Sequence, residues 1–197
     1  MNVLESILSR RSTRSYQSLP VEQEKLEKIL EAGRFAPSGG NNQTAHFLVI
    51  QKEDVLKKLV ELVQNAFAKM EVYDGMYKSI RNSILQSKKG NYVFHYNAPV
   101  LIVVANQKDY GNNMADTACA VENMMLEANE LDLGSCWINQ LRWLNEDPTL
   151  VAYLKELGMQ TDERVYASVA IGYPETVDGL PLRKALERKG NKVTWIL

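Results

Sequence analysis

The sequence has few of the residues that bind metals or form disulfides. It contains two cysteines and two histidines among 197 residues. Cys119 and Cys136 are 17 positions apart in apolar surroundings, with neither CxxC nor His spacing around them. We therefore expect two buried thiols, not a disulfide or a metal site. His46 and His95 are too few to complete a metal cluster.

The chain also lacks an excess of either charge. Lys plus Arg number 23 and Asp plus Glu number 24, which gives a formal net charge of -1. No overall basic field exists to attract nucleic acid, so no nucleic-acid partner is expected. Any anion site must be local.

Long apolar runs are absent as well. APVLIVVA at 98–105 is far shorter than the roughly 18 residues that suggest a membrane helix. The N-terminal stretch MNVLESILSRR includes Glu5 and begins an amphipathic pattern, so it lacks the plan of a secretory signal. These features predict a soluble cytoplasmic protein with no membrane partner.

Hydrophobic periodicity predicts helices interspersed with strands. One helical pattern begins near residue 3, and a second lies between Pro20 and Pro37. Three more cover 53–70, 113–131 and about 147–157. Strand patterns cover 46–51, 100–106, 134–139 and 165–173, and the terminal NKVTWIL is also strand-like. No repeat or linker divides the chain, so one α+β or α/β layered domain over 1–197 is predicted.

Two segments are unusual. Residues 71–97 have many aromatic side chains but a weak period, and we interpret them as a helical excursion or a lid. The predicted helix at 113–131 is apolar around most of its circumference. Such a helix requires burial on nearly all sides.

An arginine cluster follows the first predicted helix in SRRSTRSY. Arg10, Arg11 and Arg14 surround Ser12 and Thr13. Guanidinium and hydroxyl groups at this density suit a phosphate or an electron-rich ring edge. The alternative is that cations at the end of a helix only complement its dipole.

A polar, glycine-rich loop, PSGGNNQ, precedes the first strand. Gly39 and Gly40 allow a flat ligand to approach the main chain, while Ser38, Asn41 and Gln43 supply donors and acceptors. The alternative is a helix stop followed by an ordinary loop. The spacing fits neither GxGxxG nor GxxxxGK[ST], so neither a dinucleotide fingerprint nor an ATPase loop is supported.

Taken in order, these motifs resemble the nitroreductase family of flavin oxidoreductases over nearly the whole chain. The matching pieces are RRSTRSY, APSGGNNQ, NAPVLIVVA, DTACAVENMMLEANELDLGSCWI, SVAIGYP and LRKALER. The resemblance implies an α+β fold with a central, mostly antiparallel sheet flanked by helices. It also implies an intertwined homodimer with FMN in two clefts between the subunits.

The resemblance also implies roles for individual residues. The phosphate, ribityl chain and ring edge of FMN would lie along Arg10, Arg11, Ser12 and Arg14. Arg183 and Lys184 would add phosphate contacts. Without the resemblance, these last two residues would be interpreted as a solvated pair. The other subunit's flavin would be reached by Pro37, Ser38, Gly39 and Asn41. Trp137, Ile138 and Asn139 would pass near the ring.

Some positions depart from the family pattern. Gln43, Thr44 and Ala45 stand where many relatives have Gln-Pro-Trp, which predicts different packing and a roomier site. Asn139 and Gln140 stand where some relatives have an acidic residue followed by Gly, which predicts different contacts at the ring's edge. By location alone, His95 and Asn97 are the candidates for a lid residue that touches the ring.

The implied chemistry is hydride transfer from NADH or NADPH to FMN, followed by reduction of a nitroaromatic or quinone-like acceptor in a ping-pong mechanism. The cofactor carries the reaction, so no catalytic side chain is required. Two alternatives stay open. One is a specialised flavin enzyme of the same family, for dehalogenation or flavin fragmentation; the other is a non-enzymatic FMN-binding redox sensor.

Overall fold

A four-stranded sheet forms the centre of the protein. The computed structural model describes residues 1–197. The strands are β1 (His46–Ile50), β2 (Val100–Gln107), β3 (Gly134–Ile138) and β4 (Glu163–Gly172). They lie in the order β1-β2-β4-β3, and every neighbouring pair is antiparallel. The predicted α+β class with an antiparallel sheet is confirmed.

Seven helices surround this sheet. They are α1 (Val3–Ser9), α2 (Gln23–Arg34), α3 (Glu53–Ala68), α4 (Lys78–Lys88), α5 (Asn113–Glu130), α6 (Gln140–Trp143) and α7 (Pro148–Glu156). Local signals explain where two of them begin. Asn2 and Glu5 form a capping box at α1, and Asp147 caps α7 ahead of Pro148. Only the short α6 lies outside the predicted helices.

Each face of the sheet supports its own apolar layer. Leu59, Val63 and Phe67 of α3 pack on one face, together with α4 and α7. On the other face α2 and α5 pack, with Met124 among the fully buried side chains. Because β2 lies between two strands and two layers, all of its residues except Gln107 are buried. This explains its continuous apolar sequence.

Helix α5 is covered by the sheet, α2 and α1, but part of its surface stays exposed within the chain. Val121 and Met124 face the sheet and α2, whereas Ala115 and Cys119 are exposed on the opposite side. Both cysteines are free, and Cys136 is buried. The prediction of a buried thiol is therefore wrong for Cys119, because one chain supplies nothing to cover that face of α5.

The last 25 residues contain no helix or strand beyond a single bridge between Pro174 and Tyr16. Val193, Trp195, Ile196 and Leu197 are between 69 and 113% exposed. The strand-like pattern of the tail therefore forms no strand within one chain. Four apolar residues of α1 are exposed too, namely Val3, Leu4, Ile7 and Leu8.

The segment 71–97 contains α4, which packs on α3 and buries Ser83, Ile84 and Ser87. None of the helices is long and apolar enough to cross a lipid bilayer.

Candidate functional site

The arginine cluster lies along the outer edge of β3. Ser12 pairs in parallel with Ser135, and Thr13 N–H donates to the Ser135 carbonyl at 2.9 Å. Gly134 permits this approach, because a Cβ there would lie only 2.6 Å from Thr13 Oγ1. The close contact fixes the main chain from which Arg10 and Arg14 project.

This segment forms one wall of a groove with a cavity volume of about 480 Å³. The opposite wall comes from the chain after β4. The lining residues are Arg10, Arg11, Ser12, Thr13, Arg14, Ser15, Pro174, Glu175, Thr176, Leu182, Leu186 and Arg188. Four guanidiniums and one carboxylate make the groove locally cationic, although the whole chain is almost neutral. It is suited to an anion.

The three predicted arginines differ in their surroundings. Arg11 donates to the carbonyls of Leu8, Arg10 and Lys184, so it satisfies the end of α1, as the helix-end interpretation suggests. Arg10 lies 4.0 Å from Glu122 at the edge of ion-pair distance. Arg14 is exposed and forms none of the chain's ion pairs or hydrogen bonds, so its guanidinium is available to a ligand.

Arg183 and Lys184 do not line this groove. The Arg183 guanidinium donates to Asp132 Oδ1 at 2.6 Å and also to the main-chain carbonyl of Asn129, at the end of α5. Lys184 contributes its carbonyl to Arg11 Nε at 2.5 Å. In one chain the pair thus fastens the C-terminal segment to α1 and α5.

The glycine-rich loop adopts an unusual backbone. Gly40, Asn41 and Gln43 have φ values of 60°, 55° and 52°, in the left-handed region. Within the loop, Gln43 N–H donates to Ser38 Oγ at 3.1 Å, and Asn41 N–H donates to the Ser38 carbonyl at 2.9 Å. Pro37, Asn41 and Gln43 line a different cavity, of about 690 Å³, beside α2. A single chain therefore does not bring the loop and the arginine groove into one cavity.

Two residues that the sequence analysis missed hold this loop from α5 and the turn before it. Asp116 accepts from Gly39 N–H, and the Tyr110 hydroxyl lies within hydrogen-bond distance of both Gly39 O and Asp116. The available signal is a carboxylate in the first turn of a helix that is apolar around most of its circumference.

Below the loop, Ala45 and Phe47 line a cavity of about 190 Å³. This is the position at which the smaller Ala45 was predicted to leave room. The hydroxyl of the neighbouring Thr44 is buried without a partner.

The end of β3 is linked to the segment 71–97. Trp137 Nε1 donates to Asn139 Oδ1 at 2.8 Å, and Asn139 N–H donates to Gln140 Oε1 at 3.1 Å. Gln140 in turn donates to the Tyr92 hydroxyl. Ile138 is buried, so its side chain supports the strand and only its main chain borders the edge.

The two lid candidates lie in a further cavity, of about 710 Å³, lined also by Tyr16, Pro20 and Leu56. His95 is buried there, and burial lowers the pKa of its imidazole to about 4. Asn97 adopts a φ of 59°. Neither residue lines the arginine groove.

No group of three His, Cys, Asp or Glu side chains is placed to hold a metal ion. Together, the fold and these contacts define an antiparallel α+β protein with a guanidinium-lined groove along one sheet edge. The sequence model of the nitroreductase family matches residues 7–173, and the chain belongs to that family.

Similar proteins have been described in several prokaryotes. An Archaeoglobus fulgidus protein named "Putative NADH dehydrogenase/NAD(P)H nitroreductase" is 29% identical over 176 residues, which cover 87% of this chain and 85% of the relative. A Bacteroides fragilis nitroreductase solved with bound FMN is 37% identical, with a TM-score of 0.86 and complete coverage of both chains. A nitroreductase from Desulfitobacterium hafniense, also solved with FMN, has a TM-score of 0.81 at 23% identity, which supports the fold alone.

Proposed function

We propose that this chain is an FMN-dependent oxidoreductase that takes hydride from NADH or NADPH and reduces small nitroaromatic or quinone-like acceptors. The observation that carries the proposal is the cationic groove beside β3, in a chain that belongs to the nitroreductase family. Its cavity volume of about 480 Å³ is within the usual range for cofactor sites. The FMN bound to the Bacteroides fragilis nitroreductase supports the choice of cofactor.

The groove residues suit the phosphate and ribityl groups of FMN. Arg14 offers an unengaged guanidinium, and a planar guanidinium can bind two phosphate oxygens at once. Arg10 and the Ser12 hydroxyl add donors on the same wall. Arg11 would act through its contacts with neighbouring carbonyls, by fixing the end of α1. Arg183 and Lys184 would add phosphate contacts only after the Arg183–Asp132 pair opens.

The ring would lie between two chains. The ring-side residues of the groove's own chain would be Trp137, Ile138 and Asn139, at the end of β3. The loop of a second chain would supply Pro37, Ser38, Gly39, Asn41 and Gln43. A homodimer follows from this assignment, since the loop and groove line separate cavities within one chain.

Bound FMN supplies the redox chemistry, and the protein residues bind, orient and stabilise. Fixed positive charge from Arg10 and Arg14 favours negative charge on the bound group, and it needs little reorganisation because β3 holds their main chain. This role requires no side-chain nucleophile. The donor and the acceptor would use the same exposed surface in turn, which predicts ping-pong kinetics.

The test is to purify the protein, release its cofactor by denaturation, and add NADH or NADPH to the holoprotein without oxygen. We expect a yellow protein, released FMN and rapid bleaching by at least one nicotinamide, followed by reoxidation with a panel of nitroaromatics and quinones. A protein that takes up no FMN contradicts the cofactor assignment. A bound flavin that neither nicotinamide reduces favours a redox-sensing role.

Initial velocities distinguish the kinetic mechanisms. Parallel double-reciprocal lines for donor and acceptor support successive use of one site. Intersecting lines imply that both substrates are bound together, and they would contradict this part of the proposal.

A further inference from the structure

The main-chain N–H and C=O of Gly39 are both contacted by residues from another part of the chain. Asp116 Oδ1 and Oδ2 each lie 3.2 Å from Gly39 N. The Tyr110 hydroxyl lies 3.0 Å from Gly39 O and 2.8 Å from Asp116 Oδ2. Both polar main-chain groups of Gly39 therefore contact one carboxylate–phenol pair, which we call the Gly39 clamp.

The clamp leaves no room for a side chain at position 39. A Cβ there would lie 2.1 Å from Asn112 Nδ2 and 2.7 Å from the Tyr110 hydroxyl. The main chain is thus seated directly against residues 110–116. Glycine is required at this position by close approach, whereas its neighbour Gly40 is suited to a φ of 60°.

The residues that follow need such support. Asn41 and Gln43 hold left-handed backbone conformations that cost of order 1–3 kcal/mol each and persist only where the surroundings impose them. Among Gly39–Gln43, no residue is buried. Apolar packing therefore does not fix this part of the loop, and the hydrogen bonds of the clamp attach it to the rest of the fold.

Asp116 is suited to this task because it is itself immobilised. Its side chain is on α5, whose Ala120, Val121 and Met124 pack in the core, and only 8% of the residue is exposed. A buried carboxylate must be satisfied by hydrogen bonds, and Gly39 N–H donates to this one. The Tyr110 hydroxyl has a single proton, which lies between two acceptors, Asp116 Oδ2 and Gly39 O. The packing of α5 in the core thereby fixes the position of an exposed loop.

We propose that Asp116 and Tyr110 are positioning residues, which fix the loop in the conformation that receives the flat ring of a cofactor bound by a second chain. This inference rests on the proposed function. The two residues act through Gly39 and touch neither substrate nor cofactor.

The experiment compares Asp116→Ala, Tyr110→Phe and the double variant with Asp109→Asn. Asp109 is exposed in the same connection and contributes to none of the chain's hydrogen bonds, so its variant removes a carboxylate charge without disturbing the clamp. For each holoprotein we would measure the rate of FMN release after dilution, the visible circular dichroism at saturating FMN, and the thermal unfolding midpoint.

We expect at least tenfold faster FMN release for Asp116→Ala, a threefold or greater increase for Tyr110→Phe, and an altered visible dichroism for both. Asp109→Asn should match the wild type in all three measurements. Because Asp116 and Tyr110 contact each other and the same residue, Gly39, the rate increase in the double variant should be smaller than the product of the two single increases.

A lower unfolding midpoint with unchanged FMN release and unchanged visible dichroism would show a merely structural role and overturn the inference. If Asp116→Ala does not fold, Tyr110→Phe decides the question, since it removes a single oxygen atom. Wild-type behaviour of that variant then overturns the inference. A wild-type protein that binds no FMN is a different result, because it overturns the proposed function and the inference with it.

Discussion

The side-chain amide of Gln140 donates a hydrogen bond to the Tyr92 hydroxyl, with 2.6 Å between nitrogen and oxygen. The same hydroxyl lies 2.8 Å from Ser83 Oγ on α4. Tyr92 therefore connects α4, in the segment 71–97, to Gln140, which lies two residues after the end of β3. Burial raises the pKa of Tyr92, so the hydroxyl keeps its proton at neutral pH.

Replacing Tyr92 by Phe should lower the free energy of unfolding by about 1–3 kcal/mol, because Gln140 and Ser83 then lose a shared, partly buried partner. The measurement is the urea unfolding midpoint. Tyr73→Phe is the matched control, since Tyr73 is 67% exposed and its hydroxyl forms none of the chain's hydrogen bonds. Equal midpoints for the two variants would show that the Tyr92 contacts contribute nothing to stability.

Replacing Arg10 and Arg14 together by Ala should abolish or greatly reduce FMN retention. Each arginine offers charged hydrogen bonds, and removing one costs about 1.5–3 kcal/mol. The measurement is the flavin content of the purified protein and the FMN dissociation constant. The control is Arg81→Ala with Lys89→Ala, which removes the same charge from exposed positions on and after α4. Full FMN occupancy in the Arg10/Arg14 variant contradicts the assignment of the groove.

Acidification should destabilise the wild-type protein partly through His95. Burial lowers the pKa of His95 from 6.5 to about 4, so between these values the unfolded chain binds the proton more readily than the folded one. Stability is full above pH 6.5 and falls as the pH approaches 4. Between pH 7 and pH 5, the titration of this histidine lowers the free energy of unfolding by about 2 kcal/mol.

His95→Gln isolates this contribution, because every other group titrates in both proteins. Urea unfolding gives the free energy of unfolding at pH 7 and at pH 5. The decrease between these two values should be smaller by about 2 kcal/mol in the variant than in the wild type. An unchanged pH dependence would mean that His95 titrates normally in the folded protein.

Deleting residues 193–197 should weaken both dimerisation and FMN retention. Trp195 is 80% exposed in a single chain, and its neighbours alternate in the manner of a strand, so we expect the tail to pack on a partner. An interface that includes the cofactor site should bury on the order of 2,000 Å² or more. Sedimentation and a flavin absorbance scan of the truncated protein provide the measurement. An undiminished dimer with full FMN refutes an exchanged tail but leaves the flavin assignment intact.

The strands can be predicted because their signal is local. The apolar, β-branched run at 100–106 lies in β2, which the structure ends at Gln107. For β4 the sequence predicts a start at 165, two residues late, because Glu163 carries no strand signal. Its carboxylate instead accepts from Gln160 N–H at 2.7 Å and lies 2.8 Å from His46 Nδ1. His46 is 117 positions away, so no short window of sequence contains that second contact.

The contacts that fix the candidate site are distant in sequence, and this explains what sequence reasoning missed. Asp116 is 77 positions from Gly39, and Arg183 is 54 positions from Asn129. The sequence of the cationic pair Arg183 and Lys184 is the same whether the pair faces an anion in a groove or the end of a helix. Only the packing of α1, α5 and the C-terminal segment decides between these orientations.

The two edges of the sheet are not equivalent. The outer edge of β3 is crossed by the N-terminal segment at Ser12 and bordered by guanidiniums, whereas no other strand of the chain pairs with the outer edge of β1. Covered and charged edges resist the addition of further strands. If two copies of the chain paired edge to edge, the β1 strand of one copy would pair with the β1 strand of the other, and the open edge of each sheet would be covered. Such pairing closes on itself, so the sheet cannot extend from copy to copy into a fibre.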